Sequence, residues 1–326
     1  MFGRMAAYFM LVGVVMAPPA ATAQSRPLAP GVLTIIPVVP EYEETASGPL
    51  GMVEIVTGLP ELDWDPQYSA KSATAFERAK LVTLRRDIWN LEFSFKPLRM
   101  ITVDVPQPSG KMQKKLIWYM VYRVRYLGGD LRPDPVKDDW GHETYQAIPS
   151  SREGRHFFPQ FFLESHDVAK VYLDRIIPAA KAPIEERELS MEQRQAGVTL
   201  LNTVEISSRP VSLSTPDDPK EAWGLVTWED VDPYIDFFSV LIKGLTNAYK
   251  PVDVPGVFKQ GDEPGAGRQF LAKSLQLNFW RPGDAVNENE TEIRFGVPYS
   301  PDPERQAGII AAYGLKSRLD YLWIYR

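Results

Sequence analysis

Lys115–Tyr126 reads KLIWYMVYRVRY, and this stretch decides the fold. Leu116, Trp118, Met120, Tyr122, Val124 and Tyr126 alternate onto one side, the period-two signature of a strand. The other side carries Ile117, Tyr119 and Val121 before it turns polar at Arg123 and Arg125. Both faces are therefore covered over most of the length, as in the centre of a sandwich. Gly128, Gly129 and Asp130 end the strand in a turn.

The pattern continues on either side. Trp89, Leu91, Phe93 and Phe95 alternate with Asn90, Glu92 and Ser94, and beyond Pro97 the run Arg99–Val105 puts Ile101, Val103 and Val105 on one face. Phe157–Glu164 and Val168–Ile177 flank Ser165, His166 and Asp167 as a hairpin. Pro183, followed by Glu185, Glu186 and Glu188, reads as the opening of a short helix, with acids where the helix dipole favours them. Further strands are expected at 200–206, 222–228, 236–243, 271–280 and 320–325. Asp302 as N-cap, Pro303 in the first turn and Gly314 as a left-handed cap bracket a helix ending near Tyr313. Residues 69–86 have helix-forming composition. The expected fold is mainly β: an antiparallel, immunoglobulin-like β-sandwich over residues 69–326, elaborated with a few short helices.

Composition narrows the class. The 326 residues include 29 Pro, 22 Gly and no Cys, with a formal net charge of −6. The proline excess suits strands joined by Pro-marked turns. Without cysteine there is no disulfide scaffold, thiolate metal site or Cys nucleophile. The acidic balance argues against nucleic acid as a partner. Residues 1–23 read as a signal peptide, from Arg4 through the apolar run Met5–Met16 to the small-residue pattern Ala21-Thr22-Ala23. That run is too short for the ~20 residues of a membrane span, so export to the periplasm, cell envelope or medium is expected, with no span after cleavage. Residues 24–68 are Pro-rich and read as an extended arm.

Five blocks carry a resemblance: WNLEFSFKPLRMITVDVP (89–106), LIWYMVYRVRY (116–126), VTWEDVDP (226–233), LQLNFWRPGD (275–284) and YLWIYR (321–326). They resemble an uncharacterised family of exported bacterial β-sandwich proteins, immunoglobulin-like in strand order. The resemblance implies export and a sandwich, and it brings no catalytic residue with it.

Motifs for chemistry are sparse. The chain has no G-x-S-x-G elbow, no phosphate-binding P-loop and no G-x-G-x-x-G. His142, His156 and His166 lack the spacing that sets two ligands on one helix face. Glu229, Asp230, Asp232 and Asp236 follow an expected strand, and clustered carboxylates suit calcium, but without the glycine and terminal Glu of an EF-hand loop a Pro-marked turn is the simpler account. Residues 96–137 hold nine Lys and Arg against three Asp, whereas residues 217–236 hold seven acids against Lys220. Those segments can meet within the fold or across a self-association contact, or be ordinary solvated faces. Trp89, Trp118, Trp280 and Trp323 fall in strand patterns and belong to the core, which leaves Trp64 and Trp140 as candidate ligand-binding rings. The leading expectation is a non-enzymatic, exported interaction or envelope-associated module whose partner is a protein or a cell-envelope glycan, with no cofactor. The alternatives are a carbohydrate-binding module, assisted or not by calcium, and a hydrolase with an unrecognised carboxylate pair.

Overall fold

The computed structural model describes residues 31–50, 73, 74, 77, 82–141, 143–232, 234–253, 268–282 and 292–326. The signal-peptide reading, most of the Pro-rich arm, Trp64 and His142 lie outside the described residues. In chain order the strands are β1 (Leu33–Ile35), β2 (Ala46–Leu50), β3 (Val82–Arg85), β4 (Glu92–Phe95), β5 (Arg99–Pro106), β6 (Met112–Arg125), β7 (Asp130–Lys137), β8 (Glu143–Ser150) and β9 (Gly154–His156). They continue as β10 (Gln160–Ser165), β11 (Val171–Leu173), β12 (Pro210–Ser212), β13 (Ala222–Trp228), β14 (Phe237–Lys243), β15 (Tyr249–Asp253), β16 (Arg268–Trp280), β17 (Arg294–Phe295) and β18 (Tyr321–Tyr325). The described helices are short: α1 (Tyr42–Thr45), α2 (Pro178–Glu188), α3 (Met191–Gln195), α4 (Thr203–Ser207) and α5 (Pro303–Ala312). The protein is mainly β, and its sheets are antiparallel.

Two long strands act as spines. β13 pairs along β6 from Ala222 opposite Val124 to Trp228 opposite Trp118. β4 and β5 pair with successive parts of β6, and β1 pairs with β4. In the second sheet β14, β15, β17 and β18 all pair with β16, while β10 joins β14 to β11. The apolar faces of the two sheets share one core. Aromatic rings meet across it: Trp118 and Phe238 at 5.4 Å, Tyr122 and Phe161 at 5.0 Å, Phe95 and Phe279 at 6.0 Å between centroids. Such pairs add about 0.5–1.5 kcal/mol each beyond the area they bury, which matters in a chain without disulfides.

The second face of β6 is covered differently from the sequence expectation. Ile117, Tyr119 and Val121 pack with Val103, Trp223 and Leu225 against Ile177, Ala180 and Ile184 of the α2 segment. A helix, not a sheet, lies there. α2 begins at Pro178, so Pro183 lies inside the helix instead of opening it. Ala180 and Ile184 are buried on the sheet side while Pro183 is exposed, so packing of that stripe outweighs the missing backbone donor. Glu188 at the end of α2 is nearly sealed, its side chain 2% exposed, and takes Arg99 at 3.0 Å and the Tyr119 hydroxyl at 2.8 Å.

Other expectations are corrected by local chemistry. The stretch 200–206 is not a strand: the Asn202 side chain accepts from the amides of Val204 and Glu205, Glu205 returns a bond to the Asn202 amide, and α4 follows. Only Leu201 bridges β13. Val82–Arg85, inside the stretch read as helical, pairs with β2. The hairpin at 157–177 contracts to β10 and β11. Leu33–Ile35, in the stretch read as an arm, is hydrogen-bonded into the first sheet. The expectations for β5, β13, β14, β18 and the Asp302 cap of α5 agree with the structure.

Candidate functional site

Among the described tryptophans, Trp140 carries the exposed ring. It sits in the turn between β7 and β8, 81% exposed, with its amide bonded to Asp138 Oδ1 at 3.0 Å and Gly141 following at φ 84°. The β7–β8 ribbon pairs with no other strand among the described residues. Its base is held by reciprocal 2.9 Å backbone bonds between Ile88 and Leu131. Asp130, fully buried, pairs there with Arg155 and accepts from the Tyr126 hydroxyl at 2.8 Å.

The four acids read as candidate metal ligands are divided among different tasks. Lys115 lies 3.0 Å from Glu229 and 3.2 Å from Asp230, and Arg175 lies 3.2 Å from Glu229. Asp232 caps the following turn through the Tyr234 amide and pairs with Lys170 at 3.4 Å. Asp236 sits near Asp167, and burial together with that like charge pushes its carboxyl above the usual range. Among the described residues no group of three or more His, Asp or Glu is placed to hold a metal ion. The basic and acidic segments meet inside the fold, because β6 and β13 are neighbours: Lys115 faces Glu229, and Arg123 lies 3.1 Å from Glu221.

His166, just beyond β10, is partly buried. Its Nε2 is 2.8 Å from Ser239 Oγ, its ring lies 4.8 Å from that of Tyr313, and burial lowers its pKa against the opposing charges of Glu164 and Asp167. A Ser–His contact suggests a nucleophile and its base. Here, however, Ser239 is 2% exposed and donates to Asn278, whose own amide holds the Leu319 carbonyl at 2.8 Å. The cluster fixes the segment after α5 to the sheet, with the Ser239 hydroxyl engaged by Asn278.

A cleft that sequence reading missed lies along the outer edge of β13, with a volume of about 190 Å³. Asp174 lines it, with Arg175 and Lys181 on one side and Asn202, Thr203 and Glu205 at the start of α4. Burial raises the Asp174 carboxyl above its ordinary range, opposed by hydrogen bonds from the Thr203 side chain and its own amide. Behind the strand, the Tyr122 hydroxyl is buried without a hydrogen-bond partner, and both burial and the Asp174 charge push its pKa upward. The capping box Asn202-x-x-Glu205 was the one local signal that could have placed this wall of the cleft.

No family model, curated protein or solved structure matches this chain.

Proposed function

We propose that this protein is a non-enzymatic, exported β-sandwich module that engages an envelope partner through the β7–β8 ribbon, with Trp140 as the anchor. The exposure of Trp140 at the tip of a separate ribbon carries the reading. The ribbon lies against α1 and β3, where Tyr42 donates to the Tyr145 carbonyl and Arg85 sits over the Tyr145 ring, while the ring of Trp140 at its tip stays exposed. Pro133 and Pro135 in β7 and Pro149 in β8 remove backbone donors from the ribbon, which disfavours strand addition along it and leaves recognition to the tip. A large aromatic inserted into a partner pocket is a common energetic centre of protein interfaces. The packed aromatic core shared by two antiparallel sheets supports the sandwich, and the leader-like residues 1–23 support export.

A second reading is a glycan ligand, favoured by Asp138 and Asp139 beside the ring, since carboxylates accept from sugar hydroxyls while the indole stacks on the sugar face. Affinity capture from the native envelope, run in parallel with a glycan array, tests both using wild type and Trp140→Ala. A protein retained by wild type and lost from the variant supports the module. Array binding with the same dependence on Trp140 supports the glycan. Partners recovered equally by both proteins overturn the role of the ribbon.

A further inference from the structure

β13 is the terminal strand of its sheet, and its outer edge is covered at both ends but open between them. At one end the Leu201 amide donates to the Trp223 carbonyl at 3.0 Å and the Leu225 amide donates to the Leu201 carbonyl at 2.8 Å. This is the pattern of a parallel neighbour, and the bridge between Leu201 and Gly224 is parallel. At the other end the Arg175 amide donates to the Thr227 carbonyl at 2.8 Å. Within this antiparallel pairing a residue's N–H and C=O point to the same edge, so the Leu225 carbonyl and the Thr227 amide also face outward. Among the described residues no group bonds either one, although the Thr227 hydroxyl beside that amide donates to the Arg175 carbonyl. In a continued parallel strand, Thr203 would satisfy both. Instead the Asn202 cap turns the chain into α4 and leaves the gap.

The side chains around the gap are out of balance. Arg175 is paired with Glu229 at 3.2 Å, and Lys181 with Glu205 at 3.4 Å. Asp174 has hydrogen bonds from the Thr203 side chain and its own amide but no ion pair among the described residues, although it is half-buried in the same cleft. A buried carboxylate without a counter-ion is costly, and a ligand that brings the missing positive charge removes that cost. The opening thus offers one carboxylate and one carbonyl as acceptors, with one amide as donor close by. At about 190 Å³ it is smaller than the roughly 300–1,000 Å³ of sites for drug-sized ligands, so it accommodates about one residue and not a whole polymer.

We propose that this gap recognises an α-ammonium group together with its adjoining carbonyl, the chemistry shared by a free amino acid and the amino terminus of a peptide. The ammonium donates to Asp174 and to the Leu225 carbonyl, and the ligand carbonyl accepts from the Thr227 amide. The ligand residue then occupies the place that Thr203 vacates. Lys181 and Arg175 remain with their own carboxylates and do not compete for Asp174.

The test uses the full chain, titrated by calorimetry with alaninamide, trialanine amide and N-acetyl-trialanine amide. Amide chemical shifts are followed in parallel. The first two probes are expected to bind and to move the Thr227 amide resonance, whereas the acetylated peptide does neither. Asp174→Asn, nearly isosteric, is expected to weaken binding at least tenfold without lowering the melting temperature. Tighter binding of the tripeptide than of alaninamide assigns the site to peptide termini, and equal affinities assign it to free amino acids. Acetylated peptide bound as tightly as the free amine, or no shift at Thr227 with millimolar amine, overturns the proposal. The wild-type shifts decide the matter even if the variant folds poorly.

Discussion

Gly224 lies directly under the ring of Tyr122, so that a β-carbon at 224 would sit 2.2 Å from Tyr122 Cζ. Glycine in a strand interior normally weakens it, but here its bareness lets a cross-strand tyrosine lie flat over β13. Gly224→Ala forces the ring or the strand aside. It is expected to cost about 1–3 kcal/mol, seen as a lower urea midpoint with an unchanged slope. Tyr122→Phe removes a buried hydroxyl that has no partner, and leaves stability equal or higher.

Glu44 of α1 ties the start of the described chain to the second sheet. Its carboxylate lies 2.6 Å from Lys273 Nζ and also accepts from the Tyr325 hydroxyl. Burial resists ionisation of Glu44, but those two partners outweigh it and hold the carboxyl below its usual 4.5. A folded value below the unfolded one means the stabilisation is complete above pH 4.5 and drains away as the pH falls through the lower, folded value. Glu44→Gln leaves Lys273 buried without its closest counter-charge, a loss of about 3–5 kcal/mol. Melting temperatures between pH 3 and pH 7 should show the gap between wild type and variant narrowing in acid.

Trp140 contributes nothing to the core, so Trp140→Ala is expected to change stability by no more than about 0.5 kcal/mol. Denaturant titration checks this. A larger loss would mean that the ring packs against the body of the protein, and the ribbon tip would no longer be a free anchor.

Lys115 joins Glu229 and Asp230 at the margin of β6, where Asp230 is 73% exposed. Lys115→Ala is expected to lower the melting temperature only slightly, by an amount that shrinks as salt is raised. Calcium added to the variant tests whether the two carboxylates, once freed, bind the ion: the reading of the acids as turn and ion-pair residues expects no rise in melting temperature.

Much of the fold could be read from alternation. β6 declared itself because both of its faces are apolar, and β13, β14 and β16 because their strands are buried and uninterrupted. What an apolar face cannot announce is what covers it, which is why α2 stands where a sheet was expected. At 200–206 the apolar spacing of Leu200, Leu201, Val204 and Ile206 suggested a strand, and a two-sided cap at Asn202 overrode it. The β7–β8 ribbon escaped notice because it buries little, and strands that bury little carry no hydrophobic period. Of the candidate residues, the exposure of Trp140 was readable from its place in a polar loop. The β13 cleft was not, because Asp174, Thr203 and the Leu225–Thr227 edge come from three separate segments and none carries a signature alone.

The contact between Glu44 and Tyr325 spans 281 positions of the chain. A clasp of that reach cannot close until nearly all of the described polypeptide is available, and loop-closure entropy must be met before the contact yields any stabilisation. Synthesis from the N-terminus therefore releases β1 and α1 long before their last partner exists. The early segments wait in an open state until that partner has been made. Tyr325 is thus a timing element: its arrival closes the second sheet and locks the beginning of the fold to its end.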